Sequence, residues 1–156
     1  MLLTSYIRLV DKTVHEYELA RRCLEAYAST PRNVISPLMY ATGHMENCLN
    51  TLTRALNFAD QIRRTRAGPI LDRVTATRLR KFRDEIVELR HAIEHVEEML
   101  VAGKLDDGAA VAIVLYEGQV ELGGHTVQFA DLAKGIEALH ELAVEWSDFR
   151  EPAAAP

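Results

Sequence analysis

The chain has 156 residues, 48% of them hydrophobic and 26% charged, with a formal net charge of −5 and two cysteines. That length and composition fit one globular domain, residues 1–150, with a core that needs no disulfide staples. The acidic balance argues against indiscriminate nucleic-acid binding, and no apolar run approaches the ~20 residues that span a bilayer. The opening MLLTSYIRLV carries no basic start, no long apolar stretch and no cleavage site, so no signal peptide is expected and the cytoplasm is the expected location. Cys23 and Cys48 lie among apolar neighbours in helical patterns and read as buried free thiols of a reducing compartment.

A first helix is expected from about Leu2 to Tyr27. Leu3, Tyr6, Ile7, Val10, Val14, Tyr17, Leu24 and Tyr27 recur at helical spacing, and the Pro31 segment breaks the pattern. Ser36-Pro37 announces a second helix, with serine able to cap and proline tolerated in the first turn. Met45, Cys48, Leu49, Leu52, Leu56, Ala59 and Ile62 carry it to about Arg66, before Gly68-Pro69. A third helix, from about Ile70 to Val101, has the most regular seam: Leu79, Phe82, Ile86, Leu89, Ile93, Val96 and Leu100. That alternating three–four spacing suits lengthwise packing in a bundle, and Gly103 is a natural stop.

The character then changes. Val111 to Tyr116 is β-prone, Glu117-Gly118 and Gly123-Gly124 are turn signals, and Val120, Leu122, Val127 and Phe129 partly alternate with polar residues. A β-hairpin or three-stranded meander is expected here. A last helix then begins at Asp131, with Leu132, Ile136, Leu139, Leu142, Ala143, Trp146 and Phe149 as its apolar face. Residues 151–156 read as a disordered tail. The expected fold is therefore all-α: an antiparallel bundle of about four helices with a small β-hairpin inserted before the last.

Charge is unevenly spread. Residues 1–60 balance, residues 61–90 hold nine basic against four acidic groups, and residues 91–156 hold three basic against thirteen acidic. The basic middle segment is compatible with a local phosphate-binding surface, or with arginines that merely solvate exposed helix faces.

Within that third helix the run Arg90-His91-Ala92-Ile93-Glu94-His95 stands out. At 100° per residue, His91 and His95 are stacked one turn apart, roughly opposite Leu89 and Ile93, so they should face outward. Arg90 lies on a flank in line with Arg83. Arg90 and His95 are about 140° apart, too far to aim at one atom from one helix, but two facing copies could share a cleft. The hexapeptide resembles the signature of the HEPN superfamily, helical-bundle proteins that include many RNases of toxin–antitoxin, phage-defence and CRISPR systems. That signature is an Arg, commonly followed by Asn, Asp or His, then a His after a four- to six-residue spacer. Arg90, His91 and His95 fit it with a four-residue spacer. Chance would supply the full pattern ~0.06 times in a chain of this composition.

The resemblance implies metal-independent, cofactor-free endoribonuclease activity leaving 2′,3′-cyclic phosphate and 5′-hydroxyl ends. His95 would move the proton, Arg90 would stabilise the phosphoryl charge, and His91 would assist. It also implies a homodimer through helix three, RNA as substrate, and an antitoxin of the minimal nucleotidyltransferase type as a further partner. Such proteins often add a polar residue from another helix, for which Glu46 or Asn47 would serve, and Arg54 and Arg83 could contact phosphate.

Other readings stay open. The histidines could be salt-bridged surface residues, Glu88 with His91 and His95 with Glu98. The units Glu88/His91 and Glu137/His140, with Glu46 and Glu16 or Glu18, could build a metal-binding four-helix bundle, and Glu88 with His91 and His95 a surface zinc site. A bundle of the same ancestry could be a non-catalytic interaction module. His125 reads as a turn residue, and Trp146 and the tyrosines read as core. No P-loop, dinucleotide fingerprint or serine-hydrolase elbow occurs.

Overall fold

The computed structural model describes residues 1–29, 34–104, 113–116, 118–122 and 124–148. Four helices follow in chain order: α1 (Leu2–Ala28), α2 (Ser36–Thr65), α3 (Arg73–Val101) and α4 (Phe129–Ser147). Between α3 and α4 lies an antiparallel sheet of β1 (Val114–Tyr116), β2 (Gln119–Leu122) and β3 (His125–Gln128), in the order β1-β2-β3. The insert is thus a meander. Leu115 stands opposite Val120 and Val120 opposite Val127, which puts one apolar row on the inner face.

Side-chain pairings fix the helix directions. Thr13 meets Thr51 and Glu16 meets His44, so α1 and α2 are antiparallel. The Tyr6 hydroxyl donates to the Leu139 carbonyl (2.9 Å) and the Tyr17 hydroxyl to the Phe129 carbonyl (3.4 Å), so α4 is antiparallel to α1. Asp60 pairs with Arg83 where α2 turns back into α3. The result is an up-down-up-down bundle, as expected from the three–four apolar spacing.

Every seam residue expected for α2, from Met45 to Ile62, is buried. In α3, Leu79, Phe82, Ile86 and Leu89 are buried and Ile93 half-buried; the side chains of Val96 and Leu100 lie outside the described residues. All the expected α4 positions up to Trp146 are buried, and Phe149 falls outside the described residues. Trp146 packs on Tyr6 with ring centroids 5.1 Å apart. Both are fully buried, and burial pushes the Tyr6 phenol well above its ordinary range. Emptying the Trp146 site would cost ~3–5 kcal/mol. Gly135 of α4 makes room for the Phe82 ring of α3, because a Cβ there would sit 2.1 Å from that ring.

Several boundaries differ from the sequence expectation. Ser36 is the first helical residue of α2, not its cap; Ile35 holds the cap position without a side-chain bond. Helix α3 starts at Arg73 because the Asp72 carboxylate accepts the Val74 and Thr75 amides (2.8 and 3.1 Å), leaving Ile70 outside and fully exposed. Helix α4 starts two residues early because the Phe129 amide donates to Gly118 O at 2.7 Å, tying the helix to the sheet. His125 opens β3 opposite Leu122 rather than sitting in the turn. Tyr27 and Tyr40 are exposed, each on the last or first turns of a helix beyond the packed seam. Cys48 is buried and its thiol is pushed up to about 12 by burial, with a smaller push from Glu16; Cys23 is free but only half-buried. Val111, Ala112 and the tail at 151–156 lie outside the described residues. Among the described residues, no helix is long and apolar enough to cross a membrane.

Candidate active site

The α3 seam decides where the Arg90–His95 run faces. Ile86, Leu89 and Ala92 are buried against the bundle, which turns Arg90 to the flank and His91 and His95 outward. The two imidazoles meet edge to face, with ring centroids 6.5 Å apart and planes at 67°. His95 Nδ1–H donates to Glu98 Oε2 at 3.1 Å. That bond fixes the ring and leaves Nε2 uncommitted among the described residues. Of the two surface pairs weighed from sequence, His95–Glu98 forms, and no Glu88–His91 pair is found among the described residues.

Arg90 is two-thirds covered. Its Nη2 donates to Glu94 Oε1 one turn on, while its Nε is buried without an acceptor among the described residues. A guanidinium has five N–H donors, so most of them remain unspent. Chemically, this face offers one oriented base and one cation with free donors. They diverge around the helix, so both can reach one phosphodiester only if a second surface closes over them.

The expected substrate-binding residues come from two places. Arg83 lies two turns before Arg90, half-buried, with Asp60 at 3.5 Å and Asp84 at 3.2 Å. Arg54 and Asn47 are exposed on α2. Counting seven residues along each antiparallel helix from the Asp60–Arg83 contact brings Thr53 level with Arg90, so Arg54 and Asn47 stand near the height of the motif. Among the described residues, no hydrogen bond or ion pair joins either to Arg90, His91 or His95.

His44, beside Gly43 on α2, is used otherwise. Its Nδ1 donates to Glu16 Oε2 at 2.8 Å across the α1–α2 interface, where Glu16 is almost covered. Glu46 is exposed. The metal-bundle alternative needs its Glu-x-x-His units inside the bundle, yet Glu88, His91, Glu137 and His140 are all on the outside. Among the described residues, no three His, Cys, Asp or Glu side chains group as metal ligands.

Asp60 escapes a reading of the sequence, although Asp60-x-x-Arg63-Arg64 has ion-pair spacing on a helix. Its carboxylate meets Arg63 at 2.8 Å, Arg64 at 2.7 Å and Arg83 at 3.5 Å. Burial alone would raise this carboxyl, but the Arg63 hydrogen bond and the charges of Arg64, Arg63 and Arg83 outweigh it and hold it below the ordinary carboxylate range. No family model, no curated protein and no solved structure matches the chain.

Proposed function

We propose that the chain is a HEPN-like, metal-independent endoribonuclease whose site is completed by a second copy packed along α3. The observation that carries this reading is the exposed side of α3: His95, oriented by Glu98 through Nδ1 with Nε2 uncommitted among the described residues, and, on the flank of the same helix, Arg90 with unspent donors. It agrees with the HEPN-like spacing of Arg90, His91 and His95.

The chemistry is a transesterification. His95 Nε2 takes the proton of a ribose 2′-hydroxyl, and the oxygen attacks the adjacent phosphorus. The Arg90 guanidinium bears the extra negative charge of the five-coordinate state. The P–O5′ bond breaks and the leaving oxygen takes a proton from an imidazolium, for which His91 is placed beside His95. The products are a 2′,3′-cyclic phosphate and a 5′-hydroxyl. Arg54, Arg83 and Asn47 contact the substrate strand. The same resemblance makes the chain a toxin or defence component of the cytoplasm, with a minimal nucleotidyltransferase as the matching antitoxin class.

The test is incubation of purified protein with a broad RNA panel in EDTA, with end-group analysis of the fragments. Cleavage to cyclic-phosphate ends, lost in Arg90→Ala and His95→Ala variants that remain dimeric, is the expected result. If the wild type leaves the panel intact and its expression is harmless to cells, the fold stands as a non-catalytic interaction module. For that reading, the in-helix pairs Arg90–Glu94 and His95–Glu98 would be ordinary surface ion pairs.

A further inference from the structure

Where α2 turns back into α3, residues of both helices line a cleft of about 480 Å³. Leu56 and Leu79 are among its lining residues, and so are Arg63, Arg64, Arg73, Arg80 and Arg83 around the single carboxylate of Asp60. Five guanidinium groups against one carboxylate is an unbalanced arrangement. In a concavity with low-dielectric walls such an excess focuses positive potential and concentrates anions. Asp60 does not neutralise the cleft; it holds Arg63, Arg64 and Arg83 in place, while Arg73 and Arg80 have no ion pair among the described residues.

The position along α3 adds the second half of the case. Arg73 and Arg80 are seven residues apart, as are Arg83 and Arg90, and a seven-residue step returns to within about 20° of the same face. The four arginines therefore form a band within about a third of the circumference of α3. It runs from the cleft to the flank where Arg90 stands. Arg83 and Arg90 are about 10 Å apart along the axis. The acidic residues of α3 nearest this band, Asp84 and Glu94, are each already paired with an arginine. The size of the cleft and its excess of guanidinium groups fit a nucleotide unit with its phosphate against the arginines.

We propose that this cleft holds the phosphodiester backbone of single-stranded RNA and leads the strand along the arginine band to Arg90 and His95. The inference rests on the ribonuclease reading for what happens at the far end, but the cleft binds the strand whether or not it is cut. Arginine suits the task because its planar fork grips phosphate oxygens in pairs and keeps its charge at any physiological pH.

The experiment uses the full-length Arg90→Ala/His95→Ala protein, which cannot consume its ligand, and a fluorescent single-stranded RNA. Binding is followed by anisotropy over a salt series, with and without the added substitutions Arg73→Gln and Arg80→Gln. Both arginines are exposed and free of ion pairs among the described residues, and circular dichroism checks that the fold persists. The expected result is an affinity loss of about tenfold or more and a salt slope shallower by ~1.4, about 0.7 for each phosphate of a single strand that is no longer neutralised. Unchanged affinity and slope overturn the proposal. So does a free nucleotide triphosphate that binds and loses affinity with the same substitutions yet never displaces the RNA, since that marks a small-ligand pocket. A wild type that binds RNA through the cleft but never cuts it would sink the nuclease reading alone.

Discussion

The α1–α2 hairpin and the outer face of α3 both carry histidine, carboxylate and hydroxyl or guanidinium groups, and they use them in opposite ways. Between α1 and α2 the polar groups are spent on one another. The Thr13 and Thr51 hydroxyls meet 3.1 Å apart in the core, each also near a carbonyl one turn back, and His44 is bonded to Glu16 across the interface. At the Arg90–His95 turn of α3, by contrast, the bonded polar groups have their partners along the same helix, His95 with Glu98 and Arg90 with Glu94, and donors are left over among the described residues. An in-helix pair on the surface is worth a few tenths of a kcal/mol and opens readily. The lesson is that a histidine bonded between elements holds the fold, whereas a histidine bonded along one exposed element is available for other work.

The largest test of this contrast is functional. Arg90→Ala or His95→Ala should lower RNA cleavage by ~10²–10⁴-fold, the usual span for acid–base and charge-stabilising groups, while the melting temperature barely moves. A His44→Ala protein should show the reverse, with cleavage kept and stability reduced by about 1 kcal/mol in a denaturant titration. Equal losses of stability from both would erase the distinction.

Packing gives the next effect. Gly135→Ala should destabilise by about 1–3 kcal/mol, because the new methyl collides with the Phe82 ring where α3 meets α4. Gly43 sits in α2 with open space around it, so Gly43→Ala should instead stabilise by ~0.5–1 kcal/mol. Thermal melts of the two single variants should therefore shift in opposite directions.

The smallest effect is in acid. Asp60 is held below the ordinary carboxylate range in the folded chain, through Arg63, Arg64 and Arg83 acting against burial. A depressed folded pKa adds stability above the unfolded carboxylate value, and that stability is lost as pH falls through the folded value. The gap in melting temperature between wild type and Asp60→Asn should thus be largest near neutrality and close as pH falls through and below the ordinary carboxylate range. A gap that widens in acid would show that the arginine cluster does not hold Asp60 as described.

Much of the fold was legible because it follows from periodicity. The α2 seam from Met45 to Ile62 and the α4 face from Leu132 to Trp146 are buried residue for residue, since spacing alone sets which side of a helix is apolar. Boundaries were less legible, because they depend on a few specific bonds. Asp72 starts α3 and the Gly118 carbonyl starts α4, and neither leaves a periodic trace. At the end of α2, Gly68 passes so close to Ile62 that a Cβ would lie 2.7 Å from its Cγ2, a constraint visible only in three dimensions. At the candidate site, the outward direction of His91 and His95 was readable from 100° steps. The Arg90–Glu94 pairing, the His44–Glu16 crosslink and the gathering of Arg63, Arg64 and Arg83 on Asp60 were not. Which of several available partners a charged side chain takes is decided by the neighbouring helix.

Central to the proposed function is that the site is shared between two copies of the chain, a proposal motivated by the divergence of Arg90 and His95 around α3. Mixing inactive Arg90→Ala protein with inactive His95→Ala protein, under conditions where subunits exchange, tests it directly. If one protomer supplies the guanidinium and its partner the imidazole, mixed dimers regain one intact site and activity should return to about a quarter of wild type. A mixture as inactive as either variant alone would contradict the shared site.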